Sequence, residues 1–143
     1  MHIGKRHKSL IDGVDVMSFC SDRSFPRHTH EEFSIGVMTE RGHDCWCCRG
    51  LVEVGAGDVI GINPGEVHDG LGRKDAPRAW HMITISQNAM AKLIDGRPED
   101  AEFSAPVFQE AKVSELVLTS VSVAMQSDAH AEELEQRLRL ICA

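Results

Sequence analysis

Apolar residues alternate with polar ones at a period of about two through the first two-thirds of the chain, the spacing of half-buried strands. Val14–Cys20, Phe33–Thr39, Asp44–Cys48, Leu51–Val54, Val59–Ile62 and Trp80–Ile85 are predicted strands. Gly-rich or Pro-rich breaks separate them, at Glu40-Arg41-Gly42, Arg49-Gly50, Gly55-Ala56-Gly57-Asp58 and Asn63-Pro64-Gly65-Glu66. Short strands closed this often by turn residues predict a β-sandwich or β-barrel. The period then changes. Ser86 is placed to cap a helix over Gln87–Ile94 that stops at Asp95-Gly96, and Phe103–Phe108 is predicted to be extended. Val113, Val117, Val121 and Ala124 form one stripe of a helix from about Ala111 to Gln126. Ser127-Asp128 can cap a second helix, with Glu132 and Glu133 in its first turn and Ala131, Leu134, Leu138 and Ile141 on one stripe. So short a connection permits only an antiparallel helix pair. The fold class is mainly β with C-terminal helices: residues 1–86 make the β part, a sandwich or barrel, and residues 87–143 a helical segment of the same domain. The chain stops in mid-pattern at Leu140-Ile141-Cys142-Ala143, as a cut chain would.

Composition narrows the function classes. The chain has 143 residues, 42% hydrophobic and 26% charged, which is ordinary for one folded domain. No apolar run is long enough to span a membrane and no signal peptide is visible. Fifteen basic residues scattered among twenty-two acidic ones give a net charge of −7, which disfavours direct binding of nucleic acid. Lys5, Arg6 and Lys8 are expected to form a mobile basic start. The five cysteines are odd in number, and three of them (Cys45, Cys47, Cys48) crowd into four positions; this suits a reducing, cytoplasmic setting better than a disulfide framework. The cluster can be a thiol sensor or simply a set of small strand hydrophobes, and the second is the simpler reading. No P-loop, dinucleotide fingerprint or nucleophile elbow is present.

The candidate chemistry lies in histidines. His28-Thr29-His30 opens a predicted strand, so two imidazoles share a face. His68 follows the Pro64-Gly65 turn, and a barrel could bring it to the other two. Three neutral imidazoles suit zinc, iron, copper or nickel, so His28, His30 and His68 are candidate ligands of a divalent metal (Zn, Fe or Ni), with water or Glu32 completing the shell. Arg27 beside them could hold a carboxylate through its fork, or be a solvated strand-end charge.

The run Arg27-His28-Thr29-His30, then Gly36, then Gly57-Asp58 through Asn63-Pro64-Gly65-Glu66-Val67-His68, resembles the two cupin motifs. The first motif's usual Glu is replaced by Ser34 or Ile35. A narrower resemblance covers nearly the whole chain. Ser24-Phe25-Pro26-Arg27-His28-Thr29-His30, Ile35-Gly36-Val37, Arg49-Gly50, Gly57-Asp58 and Asn63–Gly70 resemble the N-terminal sensing domain of AraC-type transcription regulators. That resemblance implies a cupin barrel (double-stranded β-helix or jelly roll) followed by an antiparallel helix pair. It implies a small-molecule effector inside the barrel, a homodimer made through the helices, and DNA contact only through a C-terminal helix-turn-helix domain that is absent from these residues. It places Trp46 and Cys48 inward on the third strand, and His81 and Ile83 against the effector. An N-terminal arm of this kind can close over an effector as a lid.

The implied effector site is therefore Arg27, His30, Trp46, Cys48, His68, His81 and Ile83. Trp46 and Ile83 can equally be plain core, and His81 a satisfied core or surface histidine. Leu134, Leu138 and Ile141 are the expected dimer interface, the alternative being that they pack on their own barrel. The function reading is a non-enzymatic sensor and dimerisation domain. The alternative is a small metal-dependent cupin enzyme, an isomerase or dioxygenase, built on the three histidines.

Overall fold

A computed structural model describes residues 2–42, 50–72, 76–126 and 131–142 in full, and the backbone alone of residues 43–47. Among the described residues, ten strands form two sheets. The first two-thirds of the chain supplies β1 (His2–Lys8), β2 (Val14–Ser21), β3 (Phe25–His28), β4 (Phe33–Glu40), β5 (His43–Cys47), β6 (Gly50–Val54), β7 (Val59–Ile62), β8 (His68–Gly70) and β9 (Arg78–Ile85). Helix α1 (Gln87–Ile94) follows, then the two-residue strand β10 (Val107–Phe108), α2 (Ala111–Met125) and α3 (Ala131–Cys142). The larger sheet runs β1-β2-β9-β4-β7-β10 and the smaller β3-β8-β5-β6, with antiparallel pairing throughout. Mainly β with C-terminal helices is thus the observed class.

Both faces of the larger sheet are covered, and strand alternation sorts the residues between them. Val14 and Val16 of β2, Phe33, Ile35 and Val37 of β4, and Ile83 and Ile85 of β9 face the helices. There they form one core with Met90 and Leu93 of α1, Val117 and Val121 of α2, and Leu134 and Leu138 of α3. The intervening residues Met38, Ile60, Ile62 and Trp80 face the smaller sheet and pack with Val54 into a second core inside the barrel. The β4–β9 register aligns each set: Ile35 lies opposite Ile83, and Met38 opposite Trp80.

Local chemistry fixes the helices. The Ser86 hydroxyl accepts from the Ala89 amide at the start of α1, as its sequence position predicts, and Asp95 ends the helix in the left-handed conformation (φ 53°). Arg139 of α3 donates to the carbonyls of Leu93 and Lys92 at 2.7 and 3.3 Å, covering exposed acceptors at the C-terminal end of α1. Ser127 and Asp128, the expected cap of α3, lie outside the described residues.

Three expectations need correction. The N-terminal segment is not a free arm: residues 2–8 pair in full register with β2, from His2 against Ser21 to Lys8 against Asp15, and Arg6 forms an ion pair with Asp15. Its basic residues Lys5, Arg6 and Lys8 are exposed positions, on both faces, of an edge strand, where charge also blocks further pairing. Second, His28-Thr29-His30 is not one strand, because β3 ends at His28. Third, Leu134 and Leu138 are 2% and 0% exposed within the chain's own core, and Ile141 packs partly buried against it. They cannot form a dimer face while they hold α3 to the barrel. Among the described residues, the exposed large apolar side chains of the pair are Leu118 and Met125 of α2 and Leu140 of α3.

Candidate functional site

A cavity of about 240 Å³ opens between the two sheets. The larger sheet gives it Met17 and Phe19 from β2, and Trp80, Met82 and Thr84 from β9. The smaller sheet contributes Phe25, His28, His68 and Gly70, and His30 closes the mouth. Phe19 stacks on Trp80 with centroids 4.9 Å apart, and Phe25 meets Trp80 edge-on at 6.0 Å. Beneath this aromatic group lies Arg78, 1% exposed, its guanidinium carbon 4.8 Å from the Trp80 ring centre. One Arg78 nitrogen donates to the carbonyls of Ser21 and Arg23 at 2.9 and 2.8 Å, so the cation is held below the cavity floor and does not line it.

The three histidines come together by turn chemistry, not by strand parity. His68 pairs with His28 across β3–β8 and with Cys47 across β5–β8, which sets it in the middle of the smaller sheet. The preceding turn carries Gly65 at φ 78°, a conformation that favours glycine, and the Gly65 amide donates to the His30 carbonyl at 2.9 Å. Asn63 anchors this turn from below: its amide oxygen accepts from the Phe103 amide at 2.7 Å, and its nitrogen donates to the Phe103 carbonyl at 3.0 Å. Ring centroids are 4.3 Å apart for His28–His68, 4.9 Å for His30–His68 and 6.2 Å for His28–His30.

Each ring is oriented by the same kind of bond. Nδ1 of His28, His30 and His68 lies 2.7, 3.0 and 3.0 Å from the carbonyls of Pro26, Glu32 and Glu66. A carbonyl only accepts, so Nδ1 carries the proton, and in the neutral ring Nε2 is the acceptor. Burial holds the His68 imidazole below its usual pKa; the Glu66 carbonyl opposes this, and the neighbouring His28 and His30 add to it.

Such anchoring is the usual support of a metal-ligating histidine. Yet among the described residues no group of three or more His, Cys, Asp or Glu side chains is arranged as it stands to hold a metal ion. Glu32 does not supply a fourth ligand. Its carboxylate lies 3.8 Å from Nδ1 of His30, on the side of the ring away from the free nitrogen.

Other expected site residues fall elsewhere. His81 and Ile83 are on the opposite face of β9 from the cavity. Ile83 is fully buried under the helices, and His81 meets the Ser18 hydroxyl at 2.7 Å from Nδ1. The inward residues of β9 are Trp80, Met82 and Thr84, so the strand sits one residue out of phase with the expectation, and such a slip exchanges the faces. Arg27 is exposed outside the cavity, with Nε 3.7 Å from the Asp69 carboxylate. Cys48 and the side chains of Cys45, Trp46 and Cys47 lie outside the described residues, and with them the thiol-sensor reading of that cluster. Of the other cysteines, Cys20 and Cys142 are half-buried free thiols, and burial pushes the Cys142 thiol up to about 11, which suits a packing role. Met17, Phe19 and Met82 are cavity residues that sequence reasoning missed.

A family model for the AraC-like ligand binding domain matches residues 13–141. The chain belongs to that family. The AraC-like match spans barrel and helices alike, and it marks the chain as a regulatory ligand-binding domain. No curated protein sequence matches significantly. Among solved structures, an uncharacterized conserved protein with a double-stranded β-helix domain from Klebsiella pneumoniae is similar, with TM-score 0.52 and 16% identity over 62% of this chain and 79% of its own. A provisionally assigned mannose-6-phosphate isomerase from Ralstonia eutropha gives 0.51 and 12% over 60% of this chain and 85% of its own. The plu4264 protein from Photorhabdus luminescens gives 0.52 and 13% over 60% and 76%. At such identities these likenesses establish the cupin-type double-stranded β-helix fold alone. Among the described residues no helix is long and apolar enough to cross a membrane.

Proposed function

We propose that this AraC-like domain senses a small molecule in the cavity and relays its occupancy to the α2–α3 surface, and so to a C-terminal DNA-binding domain of the regulator. One observation carries the relay. On β9, the cavity residues Trp80, Met82 and Thr84 alternate with Ile83 and Ile85, which hold the helices. A ligand that moves the first set by a fraction of an ångström must also strain the second, because close-packed cores do not deform continuously. The relay works only if the ligand favours one arrangement of the helices over another. Leu118, Met125 and Leu140 give α2 and α3 an exposed apolar face on which a second copy would pack, in keeping with the homodimer that the family resemblance implies.

The test is a thermal-shift screen of a small-molecule library, followed by hydrogen exchange with any hit. A specific ligand at about 100 times its Kd stabilises by about 2.7 kcal/mol. Slowed exchange in β9 together with changed exchange in α2 and α3 is the expected result. A library without a single stabilising compound, or a ligand that alters the cavity strands and leaves the helices untouched, refutes the relay.

A second reading places a divalent metal on His28, His30 and His68. The three Nδ1–carbonyl bonds favour it, since they leave each Nε2 unprotonated. An ion there would act as a Lewis acid on a bound ligand. Metal analysis of protein purified without an affinity tag decides it: one equivalent supports this reading, and none removes it.

A further inference from the structure

The cavity discriminates between ligand classes by what its walls can offer. Its body is apolar and aromatic, built from Met17, Phe19, Phe25, Trp80 and Met82. Its polar end is made of acceptors. With each Nδ1 turned to a backbone carbonyl, Nε2 is the ring atom left to accept. Two further groups at that end, Glu66 and Asp69, are carboxylates. Ser34 and Thr84 carry hydroxyls that serve either role, so they decide nothing. Among the described residues neither Lys nor Arg lines the space: Arg78 lies behind Trp80, and Arg27 is outside.

Size sets a second limit. An apolar cavity of about 150 Å³ takes benzene. The space between the walls here, about 240 Å³ and open on one side, therefore takes one ring and a short substituent.

Resting on the sensing reading above, we propose that the effector is a single-ring aromatic molecule whose head group donates hydrogen bonds, an alcohol or an amine, to the imidazole cluster. A carboxylate head is the wrong partner. It would bring lone pairs to lone pairs and a negative charge to Glu66 and Asp69; Arg27 already sits 3.7 Å from Asp69 outside the cavity, so among the described lining residues no fixed cation offsets its desolvation.

Four single-ring probes separate the classes: benzyl alcohol, benzylamine, toluene and benzoate, titrated calorimetrically into the whole 143-residue chain with and without a chelator. One charge-assisted or well-placed hydrogen bond is expected to make the alcohol or the amine about tenfold tighter than toluene, with benzoate weakest. The better of the two tells a neutral donor from an ammonium. His68→Leu, its fold checked by circular dichroism, should erase most of that preference and leave toluene within about threefold. If it does not fold, His28→Leu at the exposed mouth should reduce the preference by at least about threefold. The proposal is overturned if benzoate equals or exceeds benzyl alcohol, including on acidification, which would mean imidazolium donors. It is also overturned if the preference survives the histidine variants, if the chelator abolishes it, or if no probe binds at about 10 mM. In each of those cases a different ligand found in the library screen would leave the sensing reading intact, whereas an empty screen would sink that reading itself.

Discussion

Leu138 and Leu140 lie two residues apart on α3 and should behave in opposite ways. Leu138 is 0% exposed, packed with Leu134 in the core that joins α3 to α2 and the larger sheet, whereas Leu140 is 62% exposed. Leu138→Ala removes buried methyl groups that the surrounding helices cannot fully replace, at a cost of about 2–5 kcal/mol. A domain of this length has a total stability of about 5–15 kcal/mol, and each kcal/mol moves Tm by about 3–5 °C. A fall of about 10–15 °C is therefore expected for a mid-range loss of ~3 kcal/mol. Leu138→Glu adds an unpaired buried carboxylate and should leave little folded protein. Leu140→Glu is a surface change within about 0.5 kcal/mol on the monomer, yet it places a charge in the proposed dimer face. Circular dichroism melts, combined with light scattering over a concentration series, distinguish the two effects. A folded, monomeric Leu138→Glu protein would show that α3 is not held as described and that its inner stripe is the interface after all. A Leu140→Glu protein that still dimerises with unchanged affinity would remove the outer face from the dimer.

Further predictions concern the buried polar groups and the floor of the cavity. Burial lowers the pKa of His81 and His68 in the folded state, so the unfolded chain, titrating near 6.5, takes up protons first. The stability from these two groups is fully present above pH 6.5 and is lost as the pH falls from there toward their folded values. Urea midpoints should drop on acidification below about pH 6.5, less steeply for His81→Asn, and a midpoint that rises would refute the sign. Arg78→Met strips the Ser21 and Arg23 carbonyls of their donor and should cost about 2–4 kcal/mol in thermal unfolding; Arg78→Lys should not restore it, since an ammonium cannot both stack on Trp80 and reach both carbonyls. Gly36→Ala would set its Cβ 2.7 Å from the His81 carbonyl and from the Met82 sulfur, so a loss of about 1–3 kcal/mol is expected, and an unchanged Tm would mean that β4 and β9 are farther apart than described.

The strands and helices were legible because their signals are local. Ser86 capping α1, the breaks at Gly57 and Gly65, and the change of period after residue 86 are each set by a few adjacent side chains. The three-histidine cluster was legible for a different reason: the Asn63–Glu66 turn has to deliver His68 beside β3, whatever the exact path of residues 29 and 30. What escaped was parity. On β9 the sequence Trp80-His81-Met82-Ile83-Thr84-Ile85 offers an apolar set on either face, because one face is covered by helices and the other by the smaller sheet. Alternation identifies an inner face only when the other is wet. The same ambiguity hid Met17 and Phe19 on β2, which alternate with Val14 and Val16. In α3 the stripe Leu134–Leu138–Ile141 was found, but a stripe does not say whether it meets its own barrel or another chain.

That two-sided burial is also what makes the larger sheet suitable for sensing. A sheet with one wet face could absorb a ligand's push by shifting side chains into solvent. Here Met82 faces the cavity and pairs in register with Gly36 and Met17, while the next residue, Ile83, is clamped between Ile35 and Val16 beneath the helices. The glycine opposite Met82 leaves room for it: the Met82 sulfur lies where any side chain at residue 36 would sit. In the proposed relay, occupancy of the cavity would press first on this unbranched, adaptable thioether. Whatever Met82 did not absorb would pass through the backbone of β9 to Ile83 and Ile85, and from them to α1, α2 and α3. Changing this residue should therefore tune the coupling between binding and the helices in a definite direction. Met82→Leu, similar in volume but stiffer, transmits more of the same ligand's effect to α2 and α3 than the native residue does, and Met82→Ala transmits less.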